Sequence, residues 1–406
     1  MYIYMSVLNE TINDTLPDAV YYDVLATNFQ STTTAPNIFV FNEARSNPYI
    51  QNPSLYDLSI LRFNIDTGTL PIFIPSIQPN QPDRDLTIYS VTLVGNANNS
   101  GGILPFAPVQ KFVRWNPQDK SALQPLPPSQ TTSGTQDNRG GYYNCYSYQW
   151  FLYEIYIALQ DALEDVLAQY VTAGIALPNA LTPSTCFSPV ITWQYSSQSF
   201  ILQAQLDLYS ELVDSGIQIF FNAPLFSLFN SFPSVYEGYS NSLATFGRNN
   251  RIVVANIGGS NTSQLFPANI GIDDFSYTVV NVYGEYSTTA PWSAISSIVF
   301  TSNTLPIEPN QVSTPLVFVN GLPSFGGNNA AQENIITDIV SDTGIYRPSL
   351  TYVPSAEFRR IHLYGNRPLH NLDISIYYRL RTSELVPFRL SSGGTISMKI
   401  GFLKKK

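Results

Sequence analysis

The chain has 406 residues, of which 44% are hydrophobic and only 12% charged, with a formal net charge of -9. The hydrophobic content excludes global disorder, and the acidic balance argues against a sequence-independent grip on nucleic acid, which needs clustered Lys and Arg. An ordinary soluble domain is about a quarter charged, so this surface is made instead from Asn, Gln, Ser and Thr with 26 Tyr and 29 Pro, groups that hydrogen-bond well and repel like copies little.

Along the chain, the start Met1 to Ser6 carries no basic region ahead of an apolar stretch and no small-residue cleavage site, so no secretory signal is expected and synthesis in a cytosol is the reading. Residues 1–19 are expected to form an N-terminal arm. Strands are predicted at 20–29, 56–65, 86–94 and 109–115, where Val, Ile, Tyr, Phe and Thr alternate with polar residues. Residues 116–141 follow as a long loop holding Pro125, Pro127 and Pro128, a length that points to exposure or partner contact.

From 149 to 172 the apolar positions Leu152, Ile155, Tyr156, Leu159, Leu163, Val166, Leu167 and Tyr170 recur at three and four, which predicts an amphipathic helix stopped by Gly174. Its four charges are all acidic, so it is expected to lie on a β layer rather than stand free. No apolar run reaches the roughly 18 residues that span a bilayer. Further strands are predicted at 190–195, 200–208, 217–222, 251–257, 276–283, 295–301, 316–320, 335–340, 349–353, 358–364, 372–380 and 395–402, with a helical turn at 224–230. The fold class expected is all-β, a jelly-roll β-sandwich built as one elaborated or two β modules with a short helical insertion. The division expected is a first β domain over 20–235, holding loop 116–141 and helical insertion 149–172, and a second β module over 236–406, joined near 234–250.

Little in the chain supports chemistry. His362 and His370 lack a metal-ligand spacing, Cys145 and Cys186 match neither a zinc nor a catalytic pattern, and no nucleophile elbow occurs. The cysteines are expected as reduced, partly buried thiols. Gly258-Gly259, Gly326-Gly327 and Gly393-Gly394 read as turns, Asp273-Asp274 as a solvated turn, and the sequons at Asn9, Asn13, Asn98 and Asn261 as chance in an Asn-rich chain. No catalytic residue, cofactor site or metal site is expected. Of six Lys, three are Lys404, Lys405 and Lys406; they read as a solvated tail or as contacts to an acidic partner, either a neighbouring subunit or an enclosed genome.

A family likeness rests on Ile219-Phe220-Phe221-Asn222 leading to Leu225, Leu228, Phe229 and Phe232, on Ile298 to Ser302 before Leu305-Pro306, on Leu350 to Pro354 before Glu357, Arg359 and Arg360, and on Pro368-Leu369 with Leu372 to Tyr377. With the closing hairpin 385–406, these stretches resemble minor capsid or penton-type vertex proteins of small icosahedral DNA viruses, such as virophages and polinton-like viruses. The resemblance implies a jelly-roll virion protein, synthesised in the host cytosol, that assembles with itself and with the major capsid protein. A homo-oligomer, with a pentamer as the form seen at a vertex, is implied, and no catalytic residues. Candidate assembly or acidic-partner contacts are then Lys404, Lys405, Lys406, Arg359 and Arg360, with nucleic acid reached only through the tail. The alternative reading is a carbohydrate-binding or host-attachment β-sandwich, in which exposed Tyr and Trp line a groove.

Overall fold

A computed structural model describes residues 16–29, 37–79, 81–99, 102–118, 125–128, 136–138, 140–237, 250–255, 262–265, 277–311, 316–319, 322–325, 332–340, 349–353 and 359–405. The chain forms two compact units, one made of residues 1–70 together with 295–406, the other of residues 71–294. This differs from the linear division expected. Residues Ser234–Tyr236 and Asn250–Ile252, which flank the expected joint, pair with each other inside the second unit. A discontinuous unit arises because the first long strand pairs with the last, a long-range pairing that a pass along the sequence does not see.

Among the described residues, unit 1 is a sandwich of two five-stranded sheets, each with four principal strands and one short one, Ile361–His362 in the first and Leu385–Pro387 in the second. Its principal strands are β1 (Ala19–Thr27), β2 (Val40–Ala44), β3 (Tyr56–Asp66), β4 (Ile295–Thr301), β5 (Ile335–Ile339), β6 (Ser349–Tyr352), β7 (Asn371–Leu380) and β8 (Thr395–Lys404). One sheet has the order β1-β8-β3-β6 and the other has β5-β4-β7 with β2 on the far side of β7. Successive strands cross between sheets except at β4 and β5, which pair with each other, and all the pairings among these strands are antiparallel. That is the jelly-roll arrangement. The whole of unit 2 is inserted in sequence between β3 and β4.

The inner faces follow from alternation. On β8 the side chains Ile396, Met398, Ile400 and Phe402 are buried while Ser397 and Lys399 are not. Val24 of β1 lies opposite Met398, and Phe63 of β3 lies opposite Met398 on the other side. Phe63 meets Phe300 of the facing sheet edge to face, with ring centroids 5.0 Å apart, and each such buried side chain contributes roughly 1.5–3 kcal/mol. β3 changes parity midway: Leu58 and Ile60 are buried in its first half, Phe63 and Ile65 in its second. The register against β8 slips between Lys399 and Ile400, leaving Leu61 as the extra residue of a bulge. Without that slip, half of the strand would turn its apolar side chains to the wrong face.

Unit 2 contains a four-stranded sheet in the order Thr262–Leu265, Tyr277–Tyr283, Ser199–Gln205, Val190–Gln194, and a five-stranded sheet in the order Ser234–Tyr236, Asn250–Ile252, Gln218–Phe221, Leu86–Val94, Val109–Arg114. Helix α1 (Tyr148–Ala173) ends at Gly174, whose φ of 66° is left-handed and whose successor Ile175 donates its N–H to the Tyr170 carbonyl. The helix expected as an insertion is the centre of this unit. Twelve of its 26 residues are buried, and it packs on strands of both sheets. Phe73, Phe151, Phe200 and Phe229 surround Trp292 with ring centroids 4.9 to 5.8 Å away, and the indole N–H donates to the Leu228 carbonyl at 3.0 Å. Among the described residues no helix is long and apolar enough to cross a membrane.

Candidate assembly surfaces

The two thiols sit in unit 2 and are free and buried. Burial pushes Cys145 up to about 12 and Cys186 up to about 11, so neither is a ready nucleophile at neutral pH. Among the described residues no group of three or more His, Cys, Asp or Glu could hold a metal ion. The two histidines do not meet. His362 places Nδ1 2.6 Å from Asp57 Oδ1, and His370 places its own 3.0 Å from the Arg45 carbonyl. Asp273-Asp274, Gly258-Gly259, Gly326-Gly327 and the sequons at Asn9, Asn13 and Asn261 lie outside the described residues, as does most of the expected arm.

The expected basic tail is folded into the sandwich through Lys405. Lys404 is the last residue of β8, opposite Tyr56, and its N–H donates to the Asp18 carbonyl. Lys405 donates its ammonium to the Ser54 and Leu363 carbonyls at 2.9 and 3.1 Å, stands 3.9 Å from the buried Asp57 carboxylate and lies over the Tyr364 ring. Lys406 lies outside the described residues. Lys405 is thus half-buried and hydrogen-bonded rather than fully solvated, an ammonium held by charge-assisted bonds to two carbonyls.

Arg359 reaches β5, where its guanidinium donates to the Asp338 carbonyl and to Thr337 Oγ1 and stands 3.7 Å from the Asp338 carboxylate. Arg360 is the next residue, ahead of a short strand paired with β3. Arg359 thus lies at the edge of the sandwich formed by β5. The sequence reading grouped all five cations as one kind of contact; among the described ones, Lys405 and Arg359 have different partners.

The opposite side of the sandwich is closed by β1 and β2. Tyr22 donates its hydroxyl to the Glu43 carboxylate, packs on Tyr49 with centroids 5.2 Å apart, and carries the Arg45 guanidinium 4.9 Å above its ring. Burial, aided by the bond to Glu43, pushes the Tyr22 hydroxyl far above its usual range, and the same bond with help from Arg45 holds Glu43 below the usual carboxylate range. Beside this tie the edge exposes large apolar side chains: Leu25 is 72% exposed, Phe29 89%, and Tyr21, Ile38 and Val40 are exposed too. The sequence reading singled out none of these. Their signal was legible on β1, where Tyr21 and Leu25 leave the outward face unusually apolar.

Comparison with known proteins places this geometry. The family model of Sputnik minor capsid protein V18/19 matches residues 20–404. Protein V18 of Sputnik virophage is 34% identical over 154 residues, covering 37% of this chain and 86% of V18. The structural protein V19 of the same virophage is 24% identical over 221 residues, covering 52% of this chain and 91% of V19. A chain in the cryo-EM structure of the Sputnik virophage superposes with a TM-score of 0.73 at 27% identity, over 96% of this chain and 99% of that one. The crystal structure of the mavirus penton protein, at 16% identity, shares the fold with a TM-score of 0.55 over 96% of this chain and 100% of that one.

Proposed function

The chain belongs to the Sputnik minor capsid protein V18/19 family, and from that premise we propose that it is the vertex subunit of a virophage-type shell, five copies closing a ring that joins the major capsid protein. It is a structural component of the virion capsid and not an enzyme. The observation that carries the ring reading is the jelly roll of unit 1 in a chain of which only 12% of residues are charged, so that identical copies approach with little repulsion. Closed symmetry then turns modest pairwise contacts into a stable ring. Synthesis in the host cytosol fits the two free thiols. Lys405 enters this reading as an anchor for the end of β8.

The test is the mass of the purified chain by light scattering across a concentration series, followed by addition of the major capsid protein and imaging of the shells formed. A species of five subunit masses that fills shell vertices is the expected result. A chain that stays monomeric and is left out of the shells would sink the reading.

A further inference from the structure

We infer that the ring contact runs edge to edge and head to tail: the β1/β2 edge of unit 1 in one copy docks on the β5/β6 edge of unit 1 in the next. The inference rests on the ring reading above and names the surfaces that make the contact.

The apolar surface points there first. Among the described residues of unit 1, the exposed large apolar side chains other than Tyr364 fall on these two edges: Tyr21, Leu25, Phe29, Ile38 and Val40 on one, Val340 (75%) and Val353 (65%) on the other. Val340 directly follows β5 and Val353 directly follows β6. Single exposed apolar residues need no explanation, but a cluster confined to two strand edges does.

The strand edges point the same way. Among the described residues β1 pairs only with β8, β2 only with β7, β5 only with β4 and β6 only with β3. A monomeric protein blunts such edges with Lys, Pro, bulges or short strands. β1 does none of this: it runs nine residues as AVYYDVLAT, without Lys or Pro, and in unbroken register with β8.

Symmetry decides which edge meets which. Charge does not separate the two edges, because Asp23 of β1 lies opposite Lys399 and 3.9 Å from Arg62, Glu43 is paired with Arg45, and Arg359 with Asp338. A ring of five copies has no two-fold axis between neighbours, so the β1/β2 edge of one copy meets the β5/β6 edge of the next. The contact is therefore heterologous, using different surfaces on the two copies. Because the two edges lie on opposite sides of one sandwich, each docked copy presents the next free edge, and the chain of contacts ends only when the ring closes.

Two variants test this, Leu25→Asp with Phe29→Asp on the first edge, and Val340→Asp with Val353→Asp on the second, each checked by circular dichroism and thermal melting. Serine replaces aspartate at the same positions should an aspartate pair lower the melting temperature. The expected result is that each variant alone drops fivefold in mass to a monomer, while an equal mixture gives a species of two subunit masses, because one intact β1/β2 edge and one intact β5/β6 edge remain to pair. Either variant associating by itself, or both keeping the ring mass, would overturn the edge assignment while leaving the ring reading in place. A wild-type chain that is monomeric throughout would overturn both.

Discussion

At Lys405 two carbonyl acceptors and a buried carboxylate converge on one ammonium, so replacing Lys405 by Met keeps the stem and leaves those groups unmatched. The expected cost is about 1–3 kcal/mol, read as a lower melting temperature with the subunit still folded at room temperature. Asp373 is the second such position. Its carboxylate, 6% exposed, accepts from the Ser302 hydroxyl at 2.5 Å, the Thr304 hydroxyl at 2.5 Å and the N–H groups of Asn303 and Thr304. Burial alone would raise its pKa, but these hydrogen bonds outweigh it and hold the carboxyl below its usual value. A carboxylate whose folded pKa is depressed stabilises the fold above its unfolded pKa and stops doing so as pH falls through the folded one. Wild-type stability is therefore expected to fall from about pH 5 towards pH 2 more steeply than that of Asp373→Asn, which starts about 1–3 kcal/mol lower at neutral pH, as urea titrations at each pH would read. Sequence reading did not single out Asp373. It could not see that the carboxylate turns to the loop after β4, because that neighbour comes from 70 residues away in sequence.

Among the elements, α1 and the long strands were legible because each carries a strong period. Residues 149–172 matched Tyr148–Ala173, and 86–94 and 295–301 matched the observed strands, since one apolar face sinks into a core in each case. β2 was missed. Its five residues, VFNEA, are exposed or half-buried throughout, and an edge strand with little buried side has little apolar contrast to read. The strand expected at 200–208 stops at Gln205, where the chain turns into a short helix of four residues; Leu206 and Leu208 continue an apolar pattern that both periods satisfy. For α1, Leu159 has no exposed surface and lies in the core of unit 2. Leu159→Ala is expected to cost about 2–5 kcal/mol in the stability of unit 2, read as a lower melting temperature by calorimetry. For the bulge of β3, a side chain at Gly401 would place Cβ 2.9 Å from a Leu61 methyl, so Gly401→Val is expected to cost about 1–3 kcal/mol by overpacking, measured by denaturant midpoint.

For the whole molecule, the sequence told the class of fold and the kind of protein, through charge-poor composition, alternating strands and the stretches shared with virophage capsid proteins. The division into units was not legible, because β8 sits between β1 and β3 and so joins the two ends of the chain across an inserted unit. Removing residues 395–406 is expected to strip β1 and β3 of their shared partner and unravel unit 1, while proteolysis of the same protein still yields a resistant fragment near residues 71–294. That same closure has a consequence for timing during translation. A ribosome adding about 5–20 residues per second takes roughly 20–70 s to go from the end of β1 to the start of β8, and throughout that interval unit 2 can complete its own core while β1 has no strand to lie on. Nascent chains crowded on one message thus cannot join prematurely through a finished sandwich, and the capacity to assemble arrives only as the last strand is made.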